Sequence, residues 1–445
     1  MPKITHRKKR LSSFKLIVLG FAGVIVLGAL ILMLPFSSTA GVVTPFHEAL
    51  FTSTSAVCVT GLVVQDTGSY WSAFGQTVIL LLIQIGGLGV VTVAALFAML
   101  SGRKISLMQR STMQDAISAP KVGGIVRLTR FIVRGTFLIE LIGMIVMLPT
   151  FCGNYGIKGI WMAAFHSVSA FCNAGFDILG TAENKYPSLT GYIGNPAINI
   201  TIMLLIIVGG IGFLTWDDIY TNKWHFKKYR MQSKVILVTT AILIIAPAVF
   251  FFFCDFTGLP LAERILASLF QSVTPRTAGF NTADLPAMTG SSKAIMTLLM
   301  LVGGSPGSTA GGMKTTTLAV LILSAFSVCR KKDDAEVCGR RIDGSVVKNA
   351  AAVAVMYFLL FFVGGIVIST AEGLPLSTCL YETASAVGTV GLTLGITPQL
   401  GVLSQFILIV LMYLGRVGGL TLIYAAVSNK NQSGAKLPLE KITVG

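Results

Sequence analysis

Eight apolar stretches punctuate the chain, at 14–36, 74–100, 127–150, 196–216, 235–254, 292–328, 350–370 and 402–427. About 20 apolar residues as helix cross a hydrocarbon core of about 30 Å, so each is of spanning length. Shorter amphipathic segments lie between the odd and even members, at 45–57, 158–171, 260–274 and 375–387. As helices these cover about 20 Å, enough to enter a bilayer and turn back.

The short segments are copies of one another. They run into SAVCVTGL (55–62), SAFCNAGF (169–176), VTPRTAGF (273–280) and SAVGTVGL (385–392). The shared glycine falls at Gly61, Gly175, Gly279 and Gly391, an internal repeat of period 114, 104 and 112 residues. Thr44-Pro45 reads as an N-cap followed by proline at the first helical position. Gly258-Leu259-Pro260 and Gly373-Leu374-Pro375 open the third and fourth segments in the same way. The third is longer, with 19 residues from its proline to its glycine against 16 in the first and fourth. Downstream, each second apolar stretch carries glycines: Gly86-Gly87, Gly209-Gly210, Gly303-Gly304 and Gly415.

The pattern predicts an all-α integral membrane protein of four tandem helix–pore-loop–helix repeats. Eight spanning helices and four re-entrant pore helices would surround a central ion pore. The repeats divide at 1–101, 102–224, 225–332 and 333–445.

Composition agrees. Hydrophobic residues make up 53% and charged residues 12%, about half the charge of a soluble domain. The net charge of +16 is distributed as topology. Basic residues collect at Lys3, Arg7, Lys8, Lys9, Arg10 and Lys15, then between Arg103 and Arg134, Lys223 and Lys234, and Arg330 and Lys348. The tail adds Lys430, Lys436 and Lys441, while the intervening segments hold few, among them Lys158, Lys185, Arg264, Arg276 and Lys293. By the positive-inside rule both termini are cytoplasmic, and the short segments enter from outside. No soluble basic face is left for nucleic acid. The first stretch is too long for a signal-peptide core and reads as an uncleaved helix.

Other chemistries are excluded in turn. Seven scattered Cys without CxxC support neither a disulfide framework nor a metal site. Gly307-x4-Gly312 followed by Met313 before Lys314-Thr315 only approaches a phosphate loop, and no strand precedes it. The GxG pairs at 87–89 and 210–212 lie in apolar helices and are rejected for the same reason. Four dispersed His and no HExxH leave no enzyme. A structural scaffold would not need four re-entrant loops.

A cation crossing hydrocarbon must exchange its water for oxygen dipoles, which rings of backbone carbonyls supply. Four loops meeting on one axis would do this, with pore-helix C-termini aimed at the same cavity. Glycine accepts the positive φ that alternating carbonyls require; a packing role in helix contacts is the plainer explanation for any single one. The candidate filter is Val57, Cys58, Val59, Thr60 and Gly61; Phe171, Cys172, Asn173, Ala174 and Gly175; Pro275, Arg276, Thr277, Ala278 and Gly279; and Val387, Gly388, Thr389, Val390 and Gly391. K+ would be held by backbone carbonyls, which leaves side chains free to vary. Cys58 and Cys172 read as small fillers, and Arg276 as a brace for loop carbonyls. Asp66, Asp177 and Asp284 either concentrate cations at the outer mouth or sit in a solvated loop.

Beneath the loops, the run Gly303, Gly304, Ser305, Pro306, Gly307, Ser308, Thr309, Ala310, Gly311, Gly312 cannot continue a helix. A broken helix at midplane must line a cavity, which makes 303–313 a candidate gate. Arg416 lies inside the last stretch, where an arginine is costly. It is either a barrier on the axis or a partner of loop carbonyls or of a carboxylate such as Glu140. Proton coupling would need a relay, for which Glu140, Glu48, His47, His166 and Glu382 are the candidates.

These residues resemble the Trk/Ktr/HKT superfamily of potassium transporters, closest to its Ktr membrane subunits. The resemblance covers nearly the whole chain. It is carried by the four loop glycines, TPRTAGFNT at 274–282, GGSPGSTAGGMKT at 303–315 and GRVGG around Arg416. It implies that the four glycines line a potassium filter, that 303–313 is an intramembrane gate and that Arg416 is the family arginine of the last helix. Plant relatives with serine in the first loop prefer sodium, so Gly61 argues for potassium. The resemblance further implies a homodimer in the lipid bilayer on a KtrA-like octameric cytoplasmic ring that binds ATP or NAD nucleotides. No cytoplasmic segment here is long enough for a nucleotide domain, so that ligand would belong to the partner. Channel-like uptake is the leading expectation, with a sodium-coupled or proton-coupled symporter as the alternative.

Overall fold

The computed structural model describes residues 13–101, 105–117, 123–419 and 421. The basic positions Lys3, Arg7, Lys8, Lys9, Arg10, Arg103, Lys430, Lys436 and Lys441, and both termini, lie outside these residues. Helices dominate. In chain order they are α1 (Ser13–Leu32), α2 (Phe46–Cys58), α3 (Ala73–Leu88), α4 (Val90–Leu100), α5 (Leu107–Ile117), α6 (Ile125–Tyr155), α7 (Lys158–Phe171), α8 (Pro196–Gly210) and α9 (Phe213–Asn222). They continue as α10 (Met231–Cys254), α11 (Leu261–Val273), α12 (Gly290–Leu301), α13 (Thr315–Cys329), α14 (Gly344–Glu372), α15 (Leu376–Gly388) and α16 (Val402–Val417).

Each predicted short segment is a helix: α2, α7, α11 and α15. The prolines stand one position earlier than expected. Pro45, Pro260 and Pro375 are themselves the N-caps, all near φ −55° and extended in ψ. Thr44 does not cap; its hydroxyl pairs with Tyr70 Oη at 3.1 Å.

The eight expected spanning stretches are not all single helices. Only α1, α6, α10 and α14 are long, apolar and unbroken, and the count among the described residues rises to six if each bent pair is one span. The second helix of a repeat breaks. α3 and α4 meet at 96°, and α8 and α9 at 98°. The breaks occur at Gly89 (φ 85°, ψ 135°) and Gly212 (φ 91°, ψ 141°), and α16 stops at Gly418 in the same conformation (φ 86°, ψ 140°). A residue at positive φ cannot continue a right-handed helix, so 74–100, 196–216 and 402–427 are not single rods; residues 420 and 422–427 lie outside the described set. Three residues before each break, a glycine lets the helix touch a loop carbonyl. A Cβ on Gly86, Gly209 or Gly415 would collide with the Val57, Phe171 or Val387 carbonyl oxygen, respectively.

One hydroxyl bond recurs in every repeat and pins the short helix to the first long one. Ser53 Oγ donates to Ile25 O (2.7 Å), Ser167 Oγ to Glu140 O (2.6 Å), Ser272 Oγ to Ile244 O (2.5 Å) and Thr383 Oγ1 to Phe361 O (3.0 Å). In hydrocarbon such hydroxyls must be satisfied internally. The donor sits eight residues before Gly61, Gly175 and Gly391 but seven before Gly279, so the third repeat is offset by one. Two features were not anticipated: α5, and a short hairpin pairing Glu336–Val337 with Arg340–Arg341.

Candidate ion pore

All four loops leave their helices with one backbone conformation. The residue two before each glycine has positive φ: Val59 (58°), Asn173 (58°), Thr277 (72°) and Thr389 (53°). The glycines follow at 89°, 68°, 81° and 95°. Positive φ in a β-branched residue is strained and persists only where neighbours enforce it. Here the intervening N–H is held each time: Thr60 N to Ser55 O (2.8 Å), Ala174 N to Ser169 O (2.8 Å), Ala278 N to Thr274 O (3.0 Å) and Val390 N to Ser385 O (2.8 Å). The same residues' hydroxyls finish the turn. Gly61 N and Gly391 N donate to Ser55 Oγ (3.1 Å) and Ser385 Oγ (3.0 Å), while Ser169 Oγ donates to Phe176 O (2.7 Å) and Thr274 Oγ1 to Phe280 O. These hydroxyls were missed as site residues, although a serine opens three of the four repeated strings.

The glycines close into a ring in chain order. A Cβ on Gly61 would strike the Ala174 carbonyl oxygen; on Gly175, that of Ala278; on Gly279, that of Val390; and on Gly391, that of Thr60. Each glycine therefore abuts the carbonyl preceding the next glycine. Behind the ring, the Asn173 and Thr277 side chains pair at 3.2 Å, tying repeat 2 to repeat 3.

Other predicted residues separate. Cys58 and Cys172 are fully buried, and Cys172 Sγ lies 3.7 Å from Gln84 and 3.9 Å from Glu140. Arg276 does not brace loop carbonyls. It is buried and donates to Thr240 Oγ1 on α10 at 3.3 Å. Asp66 is neither free nor solvated: its carboxylate accepts from Ser69 N (2.7 Å), Ser69 Oγ (2.7 Å) and, across to repeat 2, Tyr186 N (2.9 Å). Asp177 accepts from Leu179 N at 3.1 Å, and Asp284 is exposed. Asp66→Ala would orphan three donors at about 1 kcal/mol or more each. The expected result is a lowered melting temperature in detergent with unchanged apparent ion affinity; the reverse pattern would make Asp66 an ion collector.

The relay candidates stay local. Glu48 accepts from Gln65 (2.9 Å) and lies 3.9 Å from His47. His166 stacks on Phe151 with Nδ1 2.7 Å from Met162 O. Glu382 accepts from Thr393 and Thr397, and Glu140 from Gln84 at 3.4 Å. Among the described residues no hydrogen bond joins one such group to the next; the adjacent His47 and Glu48 only approach to 3.9 Å.

Below the ring lies the loop between α12 and α13. Its base is closed by Gly303 N to Met313 O (2.7 Å) and Thr315 N to Gly304 O (3.1 Å). Its body is bonded to the breaks of other repeats: Ser305 N to Gly210 O (2.9 Å), Thr309 N to Gly209 O (3.2 Å), Phe213 N to Gly307 O (2.7 Å) and Gly312 N to Gly415 O (3.3 Å). Thr309 Oγ1 reaches Phe171 O at 3.1 Å, and Lys314 Nζ folds back on Ala310 O (2.8 Å) and Gly311 O (3.3 Å). Gly311 faces the Thr389 side chain so closely that a Cβ there would collide. Arg416 spans the assembly. Nη1 donates to Thr309 O, and Nη2 to Gly86 O and Gly87 O, the last at 3.3 Å. Of its two expected kinds of partner, it has carbonyls, not Glu140. A cavity of about 300 Å³ lies beneath, lined by Pro306, Gly307, Ala310, Lys314, Tyr357 and Arg416 among others.

Residues 16–434 match the family described as TrkH, cation transport protein. The chain belongs to this family. It is 39% identical over 450 residues to the potassium/sodium uptake protein NtpJ of Enterococcus hirae, covering 98% of each chain. It is 37% identical to the Ktr system potassium uptake protein B of Bacillus subtilis, over 97% of this chain and 96% of that one. The potassium transporter TrkH from Vibrio parahaemolyticus shares the fold, with TM-score 0.75 and 18% identity over 96% of this chain and 87% of that one. This TrkH-family chain is thus a multi-pass membrane cation transporter and not an enzyme.

Proposed function

We propose that this TrkH-family protein is the translocating subunit of a bacterial plasma-membrane potassium uptake system. It acts as a channel-like pore of four helix–pore-loop–helix repeats with boundaries at 1–101, 102–224, 225–332 and 333–445. The closed ring of loop glycines carries this reading. Four similar backbone turns around one axis present carbonyl oxygens that replace the hydration shell of K+. The ring covers Val57–Gly61, Phe171–Gly175, Pro275–Gly279 and Val387–Gly391, with the side chain of Arg276 directed away. Loop 303–313 is the gate, and both termini face the cytoplasm. A homodimer on a KtrA-like octameric ring, which holds the nucleotide, completes the system.

The test is potassium uptake in a strain lacking its own systems, with and without a co-expressed ring protein. Rescue that grows with the ring protein is expected; no rescue under either condition overturns the reading. The potassium/sodium name of the Enterococcus relative motivates a second measurement. A channel gives currents that reverse with the K+ gradient alone, and a reversal potential that tracks an imposed Na+ or proton gradient would favour the symporter.

Arg416 gives a further expectation. Its guanidinium ties Thr309 of the loop to the Gly86–Gly87 break, and hydrogen bonds from a charged donor are worth about 1.5–3 kcal/mol. Arg416→Ala should shift the pore toward open by about ten-fold, read as faster uptake and weaker dependence on the ring protein. Slower uptake by normally folded protein would contradict the clamp.

A further inference from the structure

The far end of repeat 2 carries a second site unrelated to the pore axis. α7 follows the C-terminal end of α6, so the N-terminal end of α6 lies at the opposite face of the bundle. There α9 turns 98° from α8. Between α9 and the first turns of α6 is a cleft of about 680 Å³, whose lining includes Arg127, Leu128, Phe131, Leu214, Tyr220 and Arg230.

The cleft is amphipathic in a particular way. Leu128 and Leu214 form an apolar wall, with the Phe131 ring set 5.4 Å from that of Tyr220. Arg230 is partly neutralised by Asp217 at 3.2 Å and Asp218 at 3.9 Å. Arg127 is exposed and has no ion pair or side-chain hydrogen bond among the described residues. Arg130 and Arg134 follow it on the same exposed face. Tyr220 is 74% exposed and Trp224 98% exposed, as side chains are that sit at the headgroup level.

We propose that this cleft binds the phosphate headgroup of an anionic phospholipid. Arg127 and the outward edge of Arg230 meet the phosphodiester, the Tyr220 and Thr221 hydroxyls are additional donors, and the apolar wall takes the glycerol and first acyl carbons. Basic pockets between helices at the membrane surface recognise such headgroups. A free phosphate would leave the apolar wall unused. Phe213 N, at the start of α9, donates to Gly307 O at 2.7 Å, so a lipid holding α9 also bears on loop 303–313. That consequence rests on the gate reading; the site itself does not.

The full-length protein is purified in detergent with equal phosphatidylglycerol and phosphatidylcholine, and retained lipid is measured by mass spectrometry. Wild type should retain phosphatidylglycerol preferentially. R127Q should lose about five-fold, since one basic residue near a membrane surface contributes about 1 kcal/mol. R127K should keep most of the preference, and R330Q, on the exposed stretch after α13, should keep all of it. Equal retention by R127Q and wild type overturns the site, as does an equal loss in R330Q. Displacement of the lipid by excess inorganic phosphate overturns the lipid assignment in favour of a soluble anion. Retention is read without transport, so it fails independently of the pore reading.

Discussion

Gly279→Asp is expected to abolish potassium uptake while the protein still reaches the membrane. Gly279 has φ 81°, and a Cβ there would strike the Val390 carbonyl oxygen and crowd the Cα atoms of Gly175 and Gly391. Left-handed backbone costs a non-glycine residue about 1–2 kcal/mol before any collision is counted. The collision is with backbone, so no side chain can swing aside. The carboxylate would in addition enter a ring built for neutral carbonyls, where a fixed charge holds the cation or distorts its cage. Gly279→Ala removes the charge but keeps the collision and should lose most of the uptake as well. Gly258→Asp is the control, because nothing lies within 4 Å of a Cβ at that loop glycine. Uptake assays with membrane quantification read all three. Undiminished rescue by Gly279→Asp would defeat the filter assignment.

Shortening the loop between α12 and α13 is expected to have the largest effect in the other direction. Deleting 306–310 removes the Gly307 and Thr309 contacts to Phe213, Gly209 and Phe171, and removes the carbonyl that Arg416 Nη1 grips. The base of the loop survives, because Gly303 pairs with Met313 and Thr315 with Gly304. With the plug gone and its anchor points intact, the pore should pass ions continuously. Uptake should rise several-fold beyond that of Arg416→Ala, and dependence on the ring protein should vanish. The deletion removes two backbone bonds, the Thr309 hydroxyl bond and one Arg416 bond at about 1 kcal/mol or more each, and with them the obstruction itself, whereas Arg416→Ala leaves the loop in place. Flux that is unchanged or lower, in protein that runs as a normal species on gel filtration, would remove the gate from this loop.

Much of the loop arrangement was legible along the chain because repetition is a one-dimensional signal. The strings around Gly61, Gly175, Gly279 and Gly391 align without any knowledge of contacts. The Gly-rich run at 303–313 declares a broken helix by composition alone. Arg416 stands out because arginine is rare in apolar sequence. The errors share a cause. Hydropathy reads 74–100 and 196–216 as rods, since one glycine in a long apolar window barely lowers the average and its backbone conformation leaves no mark on it. The 96° and 98° turns follow helices that press Gly86 and Gly209 against carbonyls of their own loops, a contact that sequence does not show. Adjacency in sequence puts Arg276 among loop carbonyls, yet its long side chain reaches Thr240 on a different helix. In sequence Asp66 reads as a mouth or loop charge, yet Tyr186, 120 residues away, donates its N–H to it.

The sequence by itself determined that this is a membrane protein of four related units, which glycines recur and where a helix must fail, because apolarity, period and helix-breaking are local properties of residues. The tertiary structure alone decided the cyclic order of the loops, the clamp of Arg416 on Thr309 and Gly86, and the roles of the buried acids. Those depend on carbonyls and amides that every residue carries, whose partners are set by packing between repeats and leave no trace in side-chain identity.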